Sequence, residues 1–216
     1  MDVFGPGWQG HPERFFSGWA ATVADGDLVL VPGDISWALR LEAALPDLQA
    51  IAALPGEKVL LRGNHDYWWP SISRLRAALP PRMHAIQNDA LRIGEYRIAG
   101  SRGWLCPGAR GFTDQDLRIY RRELERLRLS LQAARRLGDG DLLVMLHFPP
   151  TNPAGDRSEV IDLLEEHEPT AVVYGHVHGE AADSEPAASF GLPLHFVAAD
   201  ALEFRPKLIL DRPGGN

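Results

Sequence analysis

Short apolar runs alternate along the chain with stretches at helical spacing. Runs at residues 28–31, 58–61, 96–99, 141–146 and 171–174 are four to six residues long and largely apolar. Such runs predict strands covered on both faces. Two more, at 194–198 and 204–210, lie late in the chain. Between them, residues 37–54 carry apolar positions at helical spacing and stop before Pro55-Gly56. Residues 71–79 stop before Pro80-Pro81, and a longer helix is predicted over 113–137. There Thr113 suits an N-cap, Asp114 and Asp116 the first turn, Arg135 and Arg136 the last turn, and Gly138 the stop. Leu117, Tyr120, Leu124, Leu127 and Leu131 give it an apolar stripe. The first 27 residues read as a loop and then a helix leading into the 28–31 strand.

Two segments depart from simple alternation. "ALRIGEYRIAG" predicts a hairpin turning at Gly94-Glu95, and "LPLHFVAADALEFRPKLIL" a closing hairpin near Asp200-Ala201. The fold class is therefore α/β, with a mixed sheet layer or two facing sheets and helices outside. No repeat, low-complexity linker or domain boundary interrupts residues 1–216, so one domain is expected.

Composition narrows the function. With 45% apolar and 24% charged residues the chain is an ordinary globular one. No apolar run approaches the roughly 20 residues of a membrane span, and the start lacks the basic and apolar regions of a signal peptide. Cys106 is the only cysteine, which excludes an internal disulfide and suits a reducing cytoplasm. A net charge of −7 makes nucleic acid an unlikely partner but leaves room for a small phosphorylated substrate. The arginine-rich run "RIYRRELERLRLSLQAARR" carries interspersed glutamates and reads as a solvated helix face.

The chemistry sits just after the predicted strands. Pro32-Gly33-Asp34 follows the first, Gly63-Asn64-His65-Asp66 the second, His147 a later one, and Gly175-His176-Val177-His178 the next. Sites in open α/β sheets form at strand carboxyl ends, so four such clusters at one rim can converge. Carboxylate, amide oxygen and imidazole suit manganese, iron, zinc or nickel, and the absence of thiolates argues against a structural zinc finger. A carboxylate can bridge two such ions about 3.5–4 Å apart, the spacing of two-metal phosphoester hydrolysis.

The series "GD", "GNHD", "H" and "GHVH", spread from about Leu28 to His178, resembles the calcineurin-like metallophosphoesterase superfamily. That resemblance implies a four-layer α-β-β-α sandwich of two mixed sheets flanked by helices, with a dinuclear metal centre at one rim. It implies that Asp34 bridges two divalent ions (Mn, Fe or Zn), that Asn64, His147 and His176 complete one site, and that His178 serves the other. His65 would face the substrate as hydrogen-bond or proton donor, with Asp66 behind it to orient the imidazole. The implied reaction is hydrolysis of a phosphomonoester or phosphodiester by metal-activated water. Arg102 and Arg110, in the glycine-rich stretch 101–112, are candidate phosphate contacts. Trp37, Tyr67, Trp68 and Trp104 are read first as packing or surface residues and second as pocket walls.

One motif of the family is missing. A first strand ending in Asp-x-His normally completes the metal site served by His178, and no such motif occurs in this chain. An N-terminal truncation is the favoured expectation. The alternative is a non-catalytic metal- or phosphate-binding module that has lost one metal site.

Overall fold

A computed structural model describes residues 6–179 and 190–211; the start of the expected leading loop, residues 1–5, lies outside them. In chain order the elements are α1 (His11–Thr22), β1 (Leu28–Val31), α2 (Leu41–Ala52), β2 (Glu57–Leu61), α3 (Ile72–Ala78), β3 (Met83–Ile86), β4 (Leu91–Ile93), β5 (Tyr96–Ser101), α4 (Asp114–Arg135), β6 (Asp141–Leu146), α5 (Glu159–His167), β7 (Ala171–Tyr174) and β8 (Leu194–Phe196). The strands form two sheets, ordered β1-β2-β3 and β4-β5-β6-β7-β8. Pairing is parallel throughout the first. In the second only the β4–β5 hairpin is antiparallel, with Ile93 opposite Tyr96.

Alternation along the strands builds the layers. Val59 and Leu61 of β2 and Leu143 and Met145 of β6 meet between the two sheets. Leu60 of β2 faces the other way and packs with Trp19, Leu48 and Leu75 of α1, α2 and α3. Leu142, Val144 and Leu146 of β6 face Leu124, Leu127 and Leu131 of α4 and Ile161 and Leu164 of α5. Period-2 side-chain direction thus gives central strands such as β2 and β6 two buried faces, and the result is the four-layer α-β-β-α sandwich.

Caps fix the outer helices. Thr113 accepts a hydrogen bond from the Asp116 N–H while the Asp116 carboxylate accepts from the Thr113 N–H, a complete capping box on α4. Ser158 Oγ accepts from the N–H groups of Val160 and Ile161 and starts α5.

Three expectations change. Residues 37–40 lie outside α2, so the predicted helix starts at Leu41 and Trp37 stands on a loop. The short strand β3 and helix α5 are additional elements. The closing hairpin does not form: among the described residues, 204–210 contains no strand, and β8 instead pairs parallel to β7. Glu203 and Phe204 sit at positive φ in a tight turn whose Phe204 N–H bonds the Ala199 carbonyl. Pro206 then removes a donor that a ladder would need. Phe204 is buried against the Trp8 ring instead.

Among the described residues, strand β1 is the edge of its sheet. Beside it runs a groove of about 1870 Å³, lined by Leu28, Leu30, Leu143, Val173 and Val197 and reaching Asp34, His147, His176 and His178. No described helix is long and apolar enough to cross a membrane.

Candidate metal centre

Strands β1 and β2 run parallel in one sheet and β6 and β7 in the other. Their carboxyl ends carry the four polar clusters. Ligand-capable atoms of Asp34, His147 and His176 all lie within 4.8 Å of one another. Asn64 joins them through its side-chain oxygen, 2.7 Å from His147 Nε2.

The electronic arrangement has a clear direction. His147 is buried, and its Nδ1 donates to the Pro32 carbonyl at 2.9 Å. A carbonyl can only accept, so this bond sets the tautomer and turns the Nε2 lone pair inward. That lone pair faces Asn64 Oδ1 at 2.7 Å and Asp34 Oδ2 at 3.3 Å. Three electron-rich atoms so close repel one another unless a proton or a cation sits among them. His176 adds a second imidazole whose buried Nδ1 has no hydrogen-bond partner among the described residues. Burial pushes its pKa down to about 4, so it is neutral and able to act as a ligand at pH 7. Burial alone would raise the Asp34 carboxyl, but where a proton sits on His147 Nε2 that hydrogen bond and charge, with the His65 N–H, outweigh it and hold the group below the usual carboxylate range. An anionic oxygen, an amide oxygen and two imidazole nitrogens form a donor set that fits a borderline divalent cation.

Local backbone geometry makes this convergence possible. Asp34 and His176 both adopt positive φ, 55° and 74°, a conformation that costs a non-glycine residue roughly 1–3 kcal/mol and is found where a site demands it. Gly33 and Gly63 lie back to back: a Cβ on Gly33 would fall 2.6 Å from the Gly63 nitrogen and 2.8 Å from His147 Nδ1. A Cβ on Gly63 would collide with the Asp34 backbone nitrogen and carboxylate. The first and second strand-end loops therefore cross with bare backbone against bare backbone.

Asp66 requires a correction. Its carboxylate does not stand behind the His65 imidazole. It is fully buried and accepts from the N–H groups of Gly63 (2.7 Å), Asp34 (2.9 Å), Ile35 (2.8 Å) and Ser36 (3.3 Å) and from Trp68 Nε1 (2.9 Å). Burial raises its pKa, while the backbone donors pull the other way. Asp66 is the clasp between the two crossing loops. His65, half-buried, has its N–H on Asp34 Oδ1 at 2.9 Å and its ring stacked on Trp37, with centroids 5.4 Å apart and planes at 27°. It also borders the groove.

The arginine expectations fare differently. Arg102 is committed to Glu123, a 2%-exposed carboxylate, at 3.0 Å, and lies over the Trp104 ring at 4.8 Å. Its guanidinium braces α4 rather than reaching into the cluster, which corrects its proposed phosphate contact. Arg110 is exposed on its loop and outside the groove lining. Trp104 donates to Asp116 and packs on Phe148, and Trp68 is buried, so both are packing residues. Cys106 is buried with its pKa pushed up to about 12 by desolvation, which leaves an unreactive thiol.

His178 lies at the groove but outside the three-residue group. Its Nδ1 bonds Asp200 Oδ1 at 2.7 Å, and Asp200 Oδ2 accepts from the Gly179 N–H at 2.8 Å. Burial opposes the Asp200 charge, but these two hydrogen bonds hold its carboxyl below the usual range. Sequence alone hides this partner, because Asp200 falls in the expected hairpin turn and stands 22 residues from His178. A carboxylate that fixes one imidazole nitrogen leaves the other to serve as ligand.

No curated protein matches the chain. The calcineurin-like phosphoesterase family profile matches residues 12–180, which span the GD, GNHD, H and GHVH clusters. With the two facing sheets and the convergent donor set at one rim, this match assigns the chain to the calcineurin-like phosphoesterase family.

Proposed function

We propose that the protein is a divalent-metal-dependent phosphohydrolase acting on a small phosphomonoester or phosphodiester. Asp34, Asn64, His147 and His176 would hold one cation, and Asp34 and His178 would contribute to a second. The observation that carries this reading is the inward-facing His147 Nε2 among the oxygens of Asn64 and Asp34. Cations bound there would supply Lewis acidity towards a phosphoryl oxygen and acidify water. The chain's own residues do the rest. Asp66 and the paired glycines keep Asp34 and Asn64 in place. Pro32 and Asp200 orient His147 and His178. His65 stands outside the donor cluster, where its imidazole can deliver a proton to a departing oxygen.

The second position has fewer donors. Among the described residues a single metal-capable group occurs, and it does not include His178. The groove beside β1 leads to this point. An extended apolar segment laid against β1 and ending in Asp-x-His would add two donors there. The non-catalytic binding module is the second reading, and it rests on the same shortfall.

The test is metal titration followed by turnover. The metal-stripped protein should take up Mn²⁺ or Zn²⁺, and the loaded form should hydrolyse nitrophenyl phosphomonoester or diester. His147→Ala should abolish uptake. Uptake without turnover would favour the binding module, and undiminished uptake by His147→Ala would remove the metal reading. Asp200→Ala should weaken only the site served by His178, by roughly 10–100-fold. A two-site calorimetric fit checks this, and an unchanged second constant would detach Asp200 from the metal chemistry.

A further inference from the structure

Near the metal centre four arginines gather around a single carboxylate. Glu123, on α4 and 2% exposed, takes Arg102 at 3.0 Å, Arg126 at 2.7 Å and Arg122 at 3.8 Å, all on Oε1. Its Oε2 accepts from the Ser101 hydroxyl at 3.2 Å, so the carboxylate is fully engaged. The fourth, Arg62, directly follows β2. Its Nε is buried without a hydrogen-bond partner, and its guanidinium pairs with no carboxylate among the described residues. The Nε of Arg102 is buried and unpartnered in the same way. Burial does most to lower the Arg102 pKa; Glu123 opposes this, and the nearby charges of Arg62 and Arg122 add to it. Arg62 and Arg102 therefore stand within reach of each other's charge.

Four guanidinium charges against one carboxylate leave three unmatched. Like charges held together repel, and native structures rarely leave buried N–H donors unmet. A water molecule would take the hydrogen bonds but not the charge. An oxyanion takes both, and the planar arginine fork suits its geometry. A dianion matches the surplus better than a single carboxylate would.

Position is the next constraint. Arg62 stands two residues before Asn64, and the Arg102 carbonyl accepts from the N–H groups of His147 and Phe148 at 3.1 and 2.9 Å. The arginines thus border the loops that carry two of the proposed ligands. Neither Arg62 nor Arg102 lines the groove beside β1. Arg122 is exposed and Arg126 half-buried, which gives the cluster a solvent-facing side.

We infer that Arg62 and Arg102, with Arg122 and Arg126 on the outer side, bind a tetrahedral oxyanion, a phosphate or a phosphoryl group, at a position separate from the metal centre. This is not the reacting phosphate, whose place is at the clustered donors, so the inference stands apart from the phosphohydrolase reading.

The experiment uses the metal-free full chain, so that no cation at the donor cluster can hold an anion. Inorganic phosphate and glycerol phosphate are titrated by calorimetry at constant ionic strength in chloride. Phosphate should bind at one site and raise the melting temperature, as a ligand of the folded chain alone does. Arg62→Ala should weaken binding by roughly tenfold or more, the loss expected of one charge-assisted hydrogen bond. Arg62→Lys keeps the charge but not the fork, and its affinity should fall between. Arg128→Ala removes an exposed arginine of α4 that pairs with Glu125, and it should bind as the wild type does. Binding of both probes would support a site for a phosphoryl group carried on a larger molecule; binding of inorganic phosphate alone would support a site for the free anion. Absence of phosphate binding in the wild type overturns the inference. So does an equal loss in Arg128→Ala, or wild-type affinity in Arg62→Ala (in Arg62→Lys, should the alanine variant not fold).

Discussion

Asp66→Ala is expected to lower the unfolding free energy of the metal-free protein by roughly 4 kcal/mol or more, among the largest effects a single substitution produces. The carboxylate is fully buried and takes hydrogen bonds from four backbone N–H groups and one indole. Each buried donor left without an acceptor costs about 1–3 kcal/mol. Water entering the vacated space would recover part of that, so the five costs do not simply add. In a domain of this size the melting temperature should fall by roughly 10 °C. Asp66→Asn should lie between, because it keeps one acceptor oxygen but turns an NH₂ group on donors that cannot accept. Urea denaturation without metal is the measurement. A change below about 1 kcal/mol would show that other groups clasp these loops, and a loss of turnover at unchanged stability would restore Asp66 as a partner of His65.

The second large effect concerns His65. On the proposed phosphohydrolase function, its replacement by alanine should reduce turnover of the metal-loaded protein by roughly 10²–10⁴-fold. Metal content should stay near normal, since His65 is outside the clustered donors. Leaving-group dependence separates proton donation from general support. A nitrophenolate departs readily without a proton, whereas an alkoxide does not. The loss in His65→Ala should therefore be much larger for an alkyl phosphoester than for a nitrophenyl one. Parallel loss of metal and activity would make His65 a ligand or a structural support. Equal losses on both substrates would assign it to binding.

Much of the site was legible because each donor follows its strand directly. Continuous apolar runs mark strands buried on both faces, and their carboxyl ends in parallel sheets share a rim, so Asp34, Asn64, His147 and His176 could be grouped before any contact was visible. What escaped depends on groups far apart in the chain. Asp66 stands next to His65, and adjacency suggested a pair, yet its acceptors' partners come from residues 34–36, some 30 positions earlier. Arg102 could be aimed at phosphate only until Glu123 came into view, 21 residues away. The strand expected at 204–210 had the right composition, but Pro206 and the turn at Glu203-Phe204 decided against it. Strand β3 is short, with His84 in its middle, and its pattern stays weak without β2 beside it.

The back-to-back glycines carry a consequence for how this centre can vary. A saturation scan of the site should find two kinds of intolerance. At Asp34, Asn64, His147 and His176 the folded chain should survive replacement and lose its ion. At Gly33 and Gly63 even a methyl group should block assembly, because the intruding carbon meets main chain that has nowhere to retreat. Transplanting the four donors onto another α/β scaffold would therefore fail unless its two loops could also touch without side chains. The hardest part of this centre to re-create is an empty space.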